Sequence, residues 1–181
     1  MFATRGYHAA RVDDVVKAAK TSHGTFYLYF SSKEDLFRAL AVDVAEMMVE
    51  LAREFPVLAP NDDSLRELHD WLGRFDELYA AHGPVIRTWT EAEIVDTEMG
   101  KVGGELVSQF SRELAARLRS AAPDVDARIA ALAFVAMIER SNYYVETRQL
   151  QVDRHQIVAT LARVMHAGLY GAAAAPLPQQ V

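Results

Sequence analysis

The sequence has no cysteine among its 181 residues, so a disulfide framework, a thiolate nucleophile and a cysteine metal site are excluded. Long hydrophobic runs are also missing. The longest, from Ile129 to Ile138, is half of the roughly 20 residues that a membrane-spanning helix needs. The N-terminal MFATRGYHAARVDD contains no apolar segment of the kind found in secretory signals. We expect a protein of the reducing cytoplasm with no membrane partner.

Residues arranged for catalysis or metal binding are equally scarce. Spacing justifies no Ser/His/Asp arrangement and no carboxylate pair, and MGKVGG lacks the G-x-x-x-x-G-K-[ST] order of a phosphate loop. His155 and His166 share one helix face but are separated by about 16 Å of helical rise, too far to bind one metal. We therefore expect no enzyme, no metal site and no cofactor.

Positive charge is scarce in the chain as a whole but not at its start. The net charge is −6. Residues 1–40 contain six Lys or Arg and four Asp or Glu, which gives +2, whereas the remainder contains 13 basic and 21 acidic residues, which gives −8. A mildly basic N-terminal segment on an acidic body is a modest indication that this segment meets an anion.

The aromatic run FYLYF, from Phe26 to Phe30, has the residue types and the alternation of a β-strand. No other segment of the sequence shows a strand pattern, and a lone strand would leave its backbone donors and acceptors unpaired. The run is therefore predicted to be helical. Phe26 and Phe30 are then four residues apart on the face that packs against the core.

The rest of the sequence predicts helices, so the fold class is all-α. A long helix, capped by Ser32-x-x-Asp35, follows 3.6-residue spacing from Lys33 to Phe55. The later predicted helices run from the Ser64-x-x-Glu67 capping box to Gly83, from Pro84 through PVIRTWTEAEI, from about Glu105 to Ser120, from Pro123 and Asp124 to about Gln149, and onward from the Asp153-x-x-Gln156 cap. Residues 172–181 are expected to be a disordered tail.

Two short helices are predicted before the long one. The first carries an apolar stripe that begins at Val12, and Ser22 is placed to cap the second, from His23 to Phe30. A short turn joins them, as in a helix-turn-helix, whose second helix can enter the major groove of DNA. The outward face of that helix carries polar side chains and tyrosines, whose hydroxyl groups can reach phosphates.

This part of the sequence resembles the TetR (TetR/AcrR) family of transcriptional regulators. The segment GYHAARVDDVVKAAKTSHGTFYLYFSSKEDLF is similar to the family signature, which ends in Gly-Thr-[Phe/Leu]-Tyr-x-[Tyr/His]-Phe-x-[Ser/Asn]-Lys-Glu-x-Leu. The resemblance implies an N-terminal helix-turn-helix DNA-binding domain, residues 1–43, and a larger helical-bundle domain for ligand binding and dimerisation, residues 44–171. The residues expected at the DNA are Arg11, His23, Gly24, Thr25, Tyr27, Leu28, Tyr29 and Lys33.

Three features depart from the family pattern. Arg11 stands where Thr or Ser usually opens the first helix of the motif, which removes a cap and offers a phosphate contact. Lys20-Thr21 replaces the usual Gly-Val of the turn, and Lys20 is strained if that position is left-handed. Only the last turn of the usual first helix precedes Tyr7. We therefore expect either a true start about 15–20 residues upstream or a more loosely packed DNA-binding domain. We call this domain, residues 1–43, the head.

The C-terminal part of the sequence points to a dimer. The segment from Ile129 to Ile138 is apolar on every side of its helix and must be covered all round. The resemblance implies that the last two helices pair with those of a second chain. The two recognition helices would then lie about 34–36 Å apart, or somewhat more, on a near-palindromic operator. The expected interface residues are Ile157, Leu161, Val164 and Gly168.

A ligand cavity is expected between helices of the bundle, where such sites are common. The number of aromatic rings among the candidate lining residues indicates an apolar or aromatic ligand. The alternative for each of these aromatic residues is that it simply packs in the hydrophobic core. The candidates are Trp71, Phe75, Trp89, Glu93, Phe110, Met137, Glu139, Asn142 and Tyr143, with Arg140 as a further polar contact.

These observations predict a homodimeric repressor that a small effector releases from double-stranded operator DNA. Effector binding would tilt the helix that starts at Lys33 and change the spacing of the two heads. The alternative is a helical ligand-binding or interaction protein whose head no longer binds DNA, which Arg11, Lys20 and the short start motivate. A gel shift with the DNA upstream of the chain's own gene separates these two.

Overall fold

The computed structural model of the protein describes residues 10–92, 97–121, 125–147, 149 and 151–171. These residues form helices and no strand, so the all-α prediction is confirmed. Among these helices, none combines the length and the hydropathy that crossing a bilayer would require. In chain order they are α1 (Val12–Ala18), α2 (His23–Tyr29), α3 (Lys33–Arg53), α4 (Asp62–Ala92), α5 (Thr97–Ala121), α6 (Ala127–Glu146) and α7 (Arg154–Tyr170).

The chain divides into two compact units. The first comprises Met1–Glu50 and Leu78–Gln109, and the second comprises Leu51–Glu77 and Phe110–Val181. The first unit therefore contains α1, α2, most of α3, the second half of α4 and the first half of α5. The second contains the last residues of α3, the first half of α4, the second half of α5, and all of α6 and α7.

Helix α2 confirms that the aromatic run is helical from Phe26 to Tyr29, and it ends one residue before the predicted Phe30. Phe26 is 4% exposed, and its ring centroid lies 5.7 Å from that of Phe30. Ser22 caps the helix as predicted, because its hydroxyl oxygen accepts a hydrogen bond from the backbone N–H of Thr25 at 3.1 Å. The helix ends where the backbone of Phe30 becomes extended. One cap and one buried ring thus hold two turns of helix.

The turn between α1 and α2 is a Schellman motif, a helix ending in which two amides return to earlier carbonyls. The N–H of Lys20 donates to the carbonyl of Lys17 at 3.3 Å, and the N–H of Thr21 donates to the carbonyl of Val16 at 2.9 Å. Lys20 occupies the left-handed position of this motif, with φ of 52°. The left-handed conformation costs a residue with a Cβ about 1–2 kcal/mol, so this residue is strained.

Helices α1 and α3 begin in the same way. In each, a carboxylate near the start of the helix accepts a hydrogen bond from a backbone N–H that precedes the helix. Arg11 precedes α1 and has no acceptor atom to offer, but its N–H donates to the carboxylate of Asp14 at 3.1 Å. Ser32 caps α3 as predicted, accepting from the N–H of Asp35 at 3.1 Å. The carboxylate of Asp35 accepts in turn from the N–H of Ser31 at 2.9 Å.

Helix α4 runs through a predicted break. The sequence favoured a stop at Gly83 and a new helix at Pro84, and this prediction was wrong because α4 continues to Ala92 with Pro84 inside it. A proline within a helix costs about 3 kcal/mol, since it removes one hydrogen bond and crowds the preceding turn. Gly83 lessens the crowding, because it has no Cβ for the proline ring to meet.

The start of α4 also differs from the prediction. The side-chain oxygen of Asn61 accepts from the N–H of Ser64 at 2.8 Å, so Asn61 is the cap and the capping box at Ser64 was wrong. Ser64 is buried instead, and its hydroxyl oxygen accepts from the N–H of Ala59 at 2.9 Å. The hydroxyl group therefore orders the loop before α4.

Two later boundaries are corrected in the same way. Helix α5 begins at Thr97 rather than near Glu105, so the glycine-rich MGKVGG is helical against its propensity. Helix α6 begins after Asp126, whose carboxylate accepts from the N–H of Arg128 at 2.9 Å. Its side-chain hydrogen bond to Arg128 lowers the pKa of Asp126 to about 2. The predicted cap of α7 is confirmed, since Asp153 accepts from the first backbone amides of that helix.

Two predictions lie outside the described residues, namely the helix end in MFATRGY and the tail of residues 172–181.

Four aromatic rings form the centre of the second unit. This ring cluster has centroid separations from 4.9 Å to 6.5 Å, and its members are Phe55, Trp71, Phe75 and Phe110. The indole N–H of Trp71 donates to the carbonyl of Leu51 at 2.7 Å, and Arg117 donates to the carbonyl of Arg53 at 2.6 Å. Both bonds go to carbonyl groups at the end of α3, and the carbonyl of Leu51 also accepts from the backbone N–H of Glu54 at 3.1 Å.

Replacing Lys20 with glycine is expected to stabilise the protein, because glycine adopts positive φ without the steric cost that lysine bears. The free energy of unfolding should rise by about 0.5–1 kcal/mol after the greater freedom of glycine in the unfolded chain is counted. Urea unfolding followed by circular dichroism measures this change. Lys20→Ala is the matched control, since it removes the charge and keeps the Cβ. An equal gain in Lys20→Ala would contradict the strain.

Candidate nucleic-acid interface

The outward face of α2 is formed by residues that the sequence predicted to meet DNA. Tyr27, Leu28 and Tyr29 are 58%, 80% and 75% exposed. The residues at the start of the helix, from His23 to Thr25, are exposed as well. Within α2, which is described in full, Phe26 is the buried residue. The helix therefore commits one side chain to the interior and presents the others to solvent.

His23 and Asp13 connect α1 to α2 on this face. Nε2 of His23 lies 2.8 Å from Oδ1 of Asp13, and both side chains are largely exposed. The contact ties the imidazole to α1 and leaves Nδ1 as the ring nitrogen that can serve another partner. Sequence reasoning did not include Asp13 in the site. The sequence alone does not show that a carboxylate ten residues before a histidine will contact it, because the contact depends on the turn between them.

Gly24 and Thr25 behave differently at the start of α2. The Oγ1 atom of Thr25 lies 2.9 Å from the Oγ atom of Ser22, so this hydroxyl group supports the cap. A Cβ atom at Gly24 would lie 3.7 Å from Oγ of Ser22, which is an ordinary contact. Packing within the chain therefore does not require a glycine at this position.

The predicted phosphate-binding residues stand at two helix starts. Arg11 is exposed before α1, and Lys33 is half-buried as the first residue of α3. Lys33 has an interaction partner within the chain. Close to it, hydrogen bonds from the backbone N–H and the hydroxyl group of Ser31 lower the pKa of Asp35. Asp35 therefore stays ionised at neutral pH and keeps its role at the start of α3.

The candidate ligand residues are distributed over both units. Trp89 packs against the buried Phe37 of α3 in the first unit. Trp71, Phe75 and Phe110 belong to the ring cluster of the second unit, where each ring contacts the other two. These three rings have the core-packing role that the sequence left open as the alternative. Another candidate, Glu93, lies outside the described residues.

The remaining candidates lie on α6: Met137, Glu139, Asn142 and Tyr143. Asn142 is buried, and its amide nitrogen donates to the carbonyl of Ile138 at 2.9 Å. The guanidinium carbon of Arg140 lies 5.1 Å from the ring centre of Tyr143, and Nε of Arg140 lies 3.6 Å from the carboxylate of Glu139. These three polar side chains of α6 are thus engaged within their own helix.

The predicted dimer residues form a partly uncovered stripe on α7. Val164 is 52% exposed, Gly168 is also exposed, and Ile157 and Leu161 are half-buried. A groove of about 510 Å³ runs along this stripe. It is lined by Ser141, Val152, Gln156, Ile157, Ala159, Thr160, Leu161 and Arg163.

Helix α6 packs against α7 and carries exposed apolar residues of its own. Ile129 is 67% exposed and Leu132 is 60% exposed, whereas Phe134 and Ile138 are buried. The chain by itself therefore covers only part of a helix that is apolar on every side. An exposed apolar surface of this kind is typical of a protein interface.

The two histidines considered as metal ligands have separate surroundings. His155 is exposed, while Nε2 of His166 lies 2.9 Å from the carbonyl oxygen of Ala59. Over the part of the chain that the structure describes, no three His, Asp or Glu side chains are grouped to hold a metal ion.

Comparison with known proteins gives a family match in the same region. Residues 1–40 match the model for bacterial regulatory proteins of the tetR family. The chain is 38% identical over 73 residues to the HTH-type transcriptional repressor AcnR of Corynebacterium diphtheriae, a match that covers 39% of this chain and 38% of AcnR. It is 28% identical over 170 residues to the HTH-type transcriptional regulator EthR of Mycobacterium tuberculosis, covering 88% of this chain and 77% of EthR.

The first curated relatives are matched over less than two fifths of their own length, whereas the fold is shared over nearly the whole chain. The crystal structure of the transcriptional regulator FadR from Bacillus subtilis in complex with stearoyl-CoA superposes with a TM-score of 0.70 at 21% identity, over 92% of each chain. These relatives are transcriptional regulators, a family without enzymatic activity, which agrees with the prediction that the chain is not an enzyme.

Replacing Ser22 with alanine is expected to lower the free energy of unfolding by about 1 kcal/mol, because the N–H of Thr25 loses its acceptor. Urea unfolding gives this value, and amide hydrogen exchange should show faster exchange within α2. Ser22→Asp is the matched control, since aspartate caps helices as well as serine does. If both variants lost the same stability, the cap would not be what orders α2.

Proposed function

We propose that the chain is a transcriptional regulator of the TetR family, whose model matches residues 1–40, and that it binds a near-palindromic operator as a homodimer. The outward face of α2 carries the proposal. Ser22 and Phe26 hold this helix in place, while Tyr27, Leu28 and Tyr29 extend into solvent. A short helix fixed on one side and rich in exposed side chains on the other suits the major groove.

The charges of the chain favour DNA at this end. The N-terminal segment is the part with net positive charge, while the remainder carries −8. Arg11 and Lys33 are placed at the starts of helices that flank α2, where each can meet a phosphate. The tyrosine hydroxyl groups and Nδ1 of His23 add polar contacts. The acidic remainder repels DNA, which restricts binding to the head.

The uncovered apolar surfaces of α6 and α7 support the homodimer. Ile129, Leu132 and Val164 are each more than half exposed. A second copy related by two-fold symmetry would bring the same two helices against them, and it would fill the groove along α7. In this arrangement residues 1–43 form the DNA-binding domain, and residues 44–171 form the domain for dimerisation and effector binding.

We also propose an apolar effector and a repressor role in the cytoplasm. Two comparisons support these points: AcnR is named a repressor, and FadR was crystallised with stearoyl-CoA, whose acyl chain is apolar. The ring cluster is closed on itself, so an effector that entered the second unit there would have to displace at least one ring. Such a displacement would also disturb the bond from Trp71 to the end of α3.

The DNA-binding assignment is tested with Lys33→Ala in a gel shift against the DNA upstream of the chain's own gene. Loss of one phosphate contact should weaken binding by roughly tenfold and lower the salt slope by about one unit per half-site. Arg119→Ala is the control, since Arg119 is an exposed basic residue at the end of α5. Equal behaviour of the two variants, with both folded, would contradict the assignment. The alternative of a head that no longer binds DNA predicts no specific shift for the wild type.

The homodimer is tested with Val164→Arg, which places a cation in the proposed interface. Burying it without a partner costs several kcal/mol, so a dimeric wild type should become monomeric in sedimentation experiments. Val57→Arg is the matched control, because Val57 is 62% exposed and belongs to the loop before α4. A monomeric wild type, or a Val164→Arg variant that stays dimeric, would rule out this interface.

A further inference from the structure

We propose that Leu28 and Gly24 form a site for the C5 methyl group of one thymine in each operator half-site. We call this pair of residues the methyl notch. The inference rests on the proposed function, since that function places α2 in the major groove. It adds the base feature that the helix recognises and the two residues that recognise it.

Leu28 is the first part of the argument. At 80%, it has the greatest exposure among the exposed large hydrophobic residues of the described chain. The fold does not use this side chain, because Phe26 supplies the buried ring of α2. Leucine has no hydrogen-bonding atom in its side chain, so it can recognise only an apolar group on a base edge. In the major groove that group is the thymine methyl.

Gly24 is the second part. It precedes Leu28 by four residues and therefore lies on the same face, one turn earlier. Side chains on a helix lean toward its N-terminus, so Leu28 leans over the position of Gly24. Alanine would fit there, with its Cβ 3.7 Å from Oγ of Ser22, and alanine favours a helix more than glycine does. The missing side chain instead leaves space beside Leu28 that a base edge can enter.

Two polar atoms next to the methyl notch are already engaged within the chain. His23 is tied to Asp13 at 2.8 Å, and Oγ1 of Thr25 lies 2.9 Å from Oγ of Ser22. Both contacts draw polar atoms toward α1 and the helix cap. The notch is therefore an apolar depression on an otherwise polar face. A thymine methyl matches it in size and polarity, whereas the amino group of cytosine would lose its hydrogen bonds to water there.

The test uses the full-length protein and a duplex operator selected from random synthetic DNA. Each thymine is replaced in turn by deoxyuridine, which keeps the base pair and removes the methyl group alone. For the wild type, one thymine in each half-site should show about fourfold weaker binding after this replacement, as expected for one buried methyl group. Leu28→Ala should bind the thymine and uracil operators equally at that position.

Two further variants separate the methyl notch from a general loss of affinity. Gly24→Ala fills the notch, so it should weaken binding to the thymine operator and remove the thymine-to-uracil ratio without lowering the free energy of unfolding. Tyr29→Phe is the matched control on the same helix, because it loses only a hydroxyl group. It should keep the fourfold ratio, whatever its overall affinity.

The outcomes distinguish a failure of the methyl notch from a failure of the proposed function. If the wild type binds its operator specifically and no uracil replacement changes its affinity, the methyl notch is wrong and DNA binding stands. The notch is equally wrong if Leu28→Ala keeps the fourfold ratio. If the wild type selects no sequence at all, the proposed function fails, and the methyl notch fails with it.

Discussion

The burial of Phe26 is the contact on which the candidate interface depends. Helix α2 has seven residues, and isolated helices shorter than about 12–15 residues are marginal in water. Burying one phenylalanine contributes about 1.5–3 kcal/mol, and the cap at Ser22 adds to it. With Phe26 inside, the helical period turns Tyr27, Leu28 and Tyr29 outward. The same aromatic run therefore supplies both the anchor of the helix and the surface that it presents.

The turn before α2 shows how a costly conformation supports that surface. Lys20 stays left-handed because the amides of the Schellman motif return to α1, and the same turn brings Asp13 and His23 together. The strain at Lys20, about 1–2 kcal/mol, is offset by the burial of Phe26 and the cap at Ser22. A lysine at this position also adds a positive charge to the head, in the part of the chain that we propose meets phosphates.

Two exposed apolar surfaces with different chemistry serve two proposed partners. The surface on α2 is small and alternates with hydroxyl groups, as suits the edges of bases. The surface on α6 and α7 is aliphatic, includes Ile129, Leu132 and Val164, and carries a groove. Exposed aliphatic side chains beside a groove with polar residues at Ser141, Gln156, Thr160 and Arg163 suit another protein surface. In the proposed function, the acidic charge outside the head keeps these two roles apart, because it repels DNA from the rest of the chain.

The sequence alone predicted the all-α class, the helical state of FYLYF, the outward face of α2, and the caps at Ser22, Ser32 and Asp153. These features depend on the spacing of apolar residues, on hydrogen bonds between near neighbours in the chain, and on charge. Tertiary structure decided the rest. It kept α4 helical through Pro84, moved the cap from Ser64 to Asn61, joined Asp13 to His23, and closed Trp71 into the ring cluster. A local sequence pattern reflects interactions among a few neighbouring residues. The features decided by tertiary structure depend instead on contacts between residues that only folding brings together.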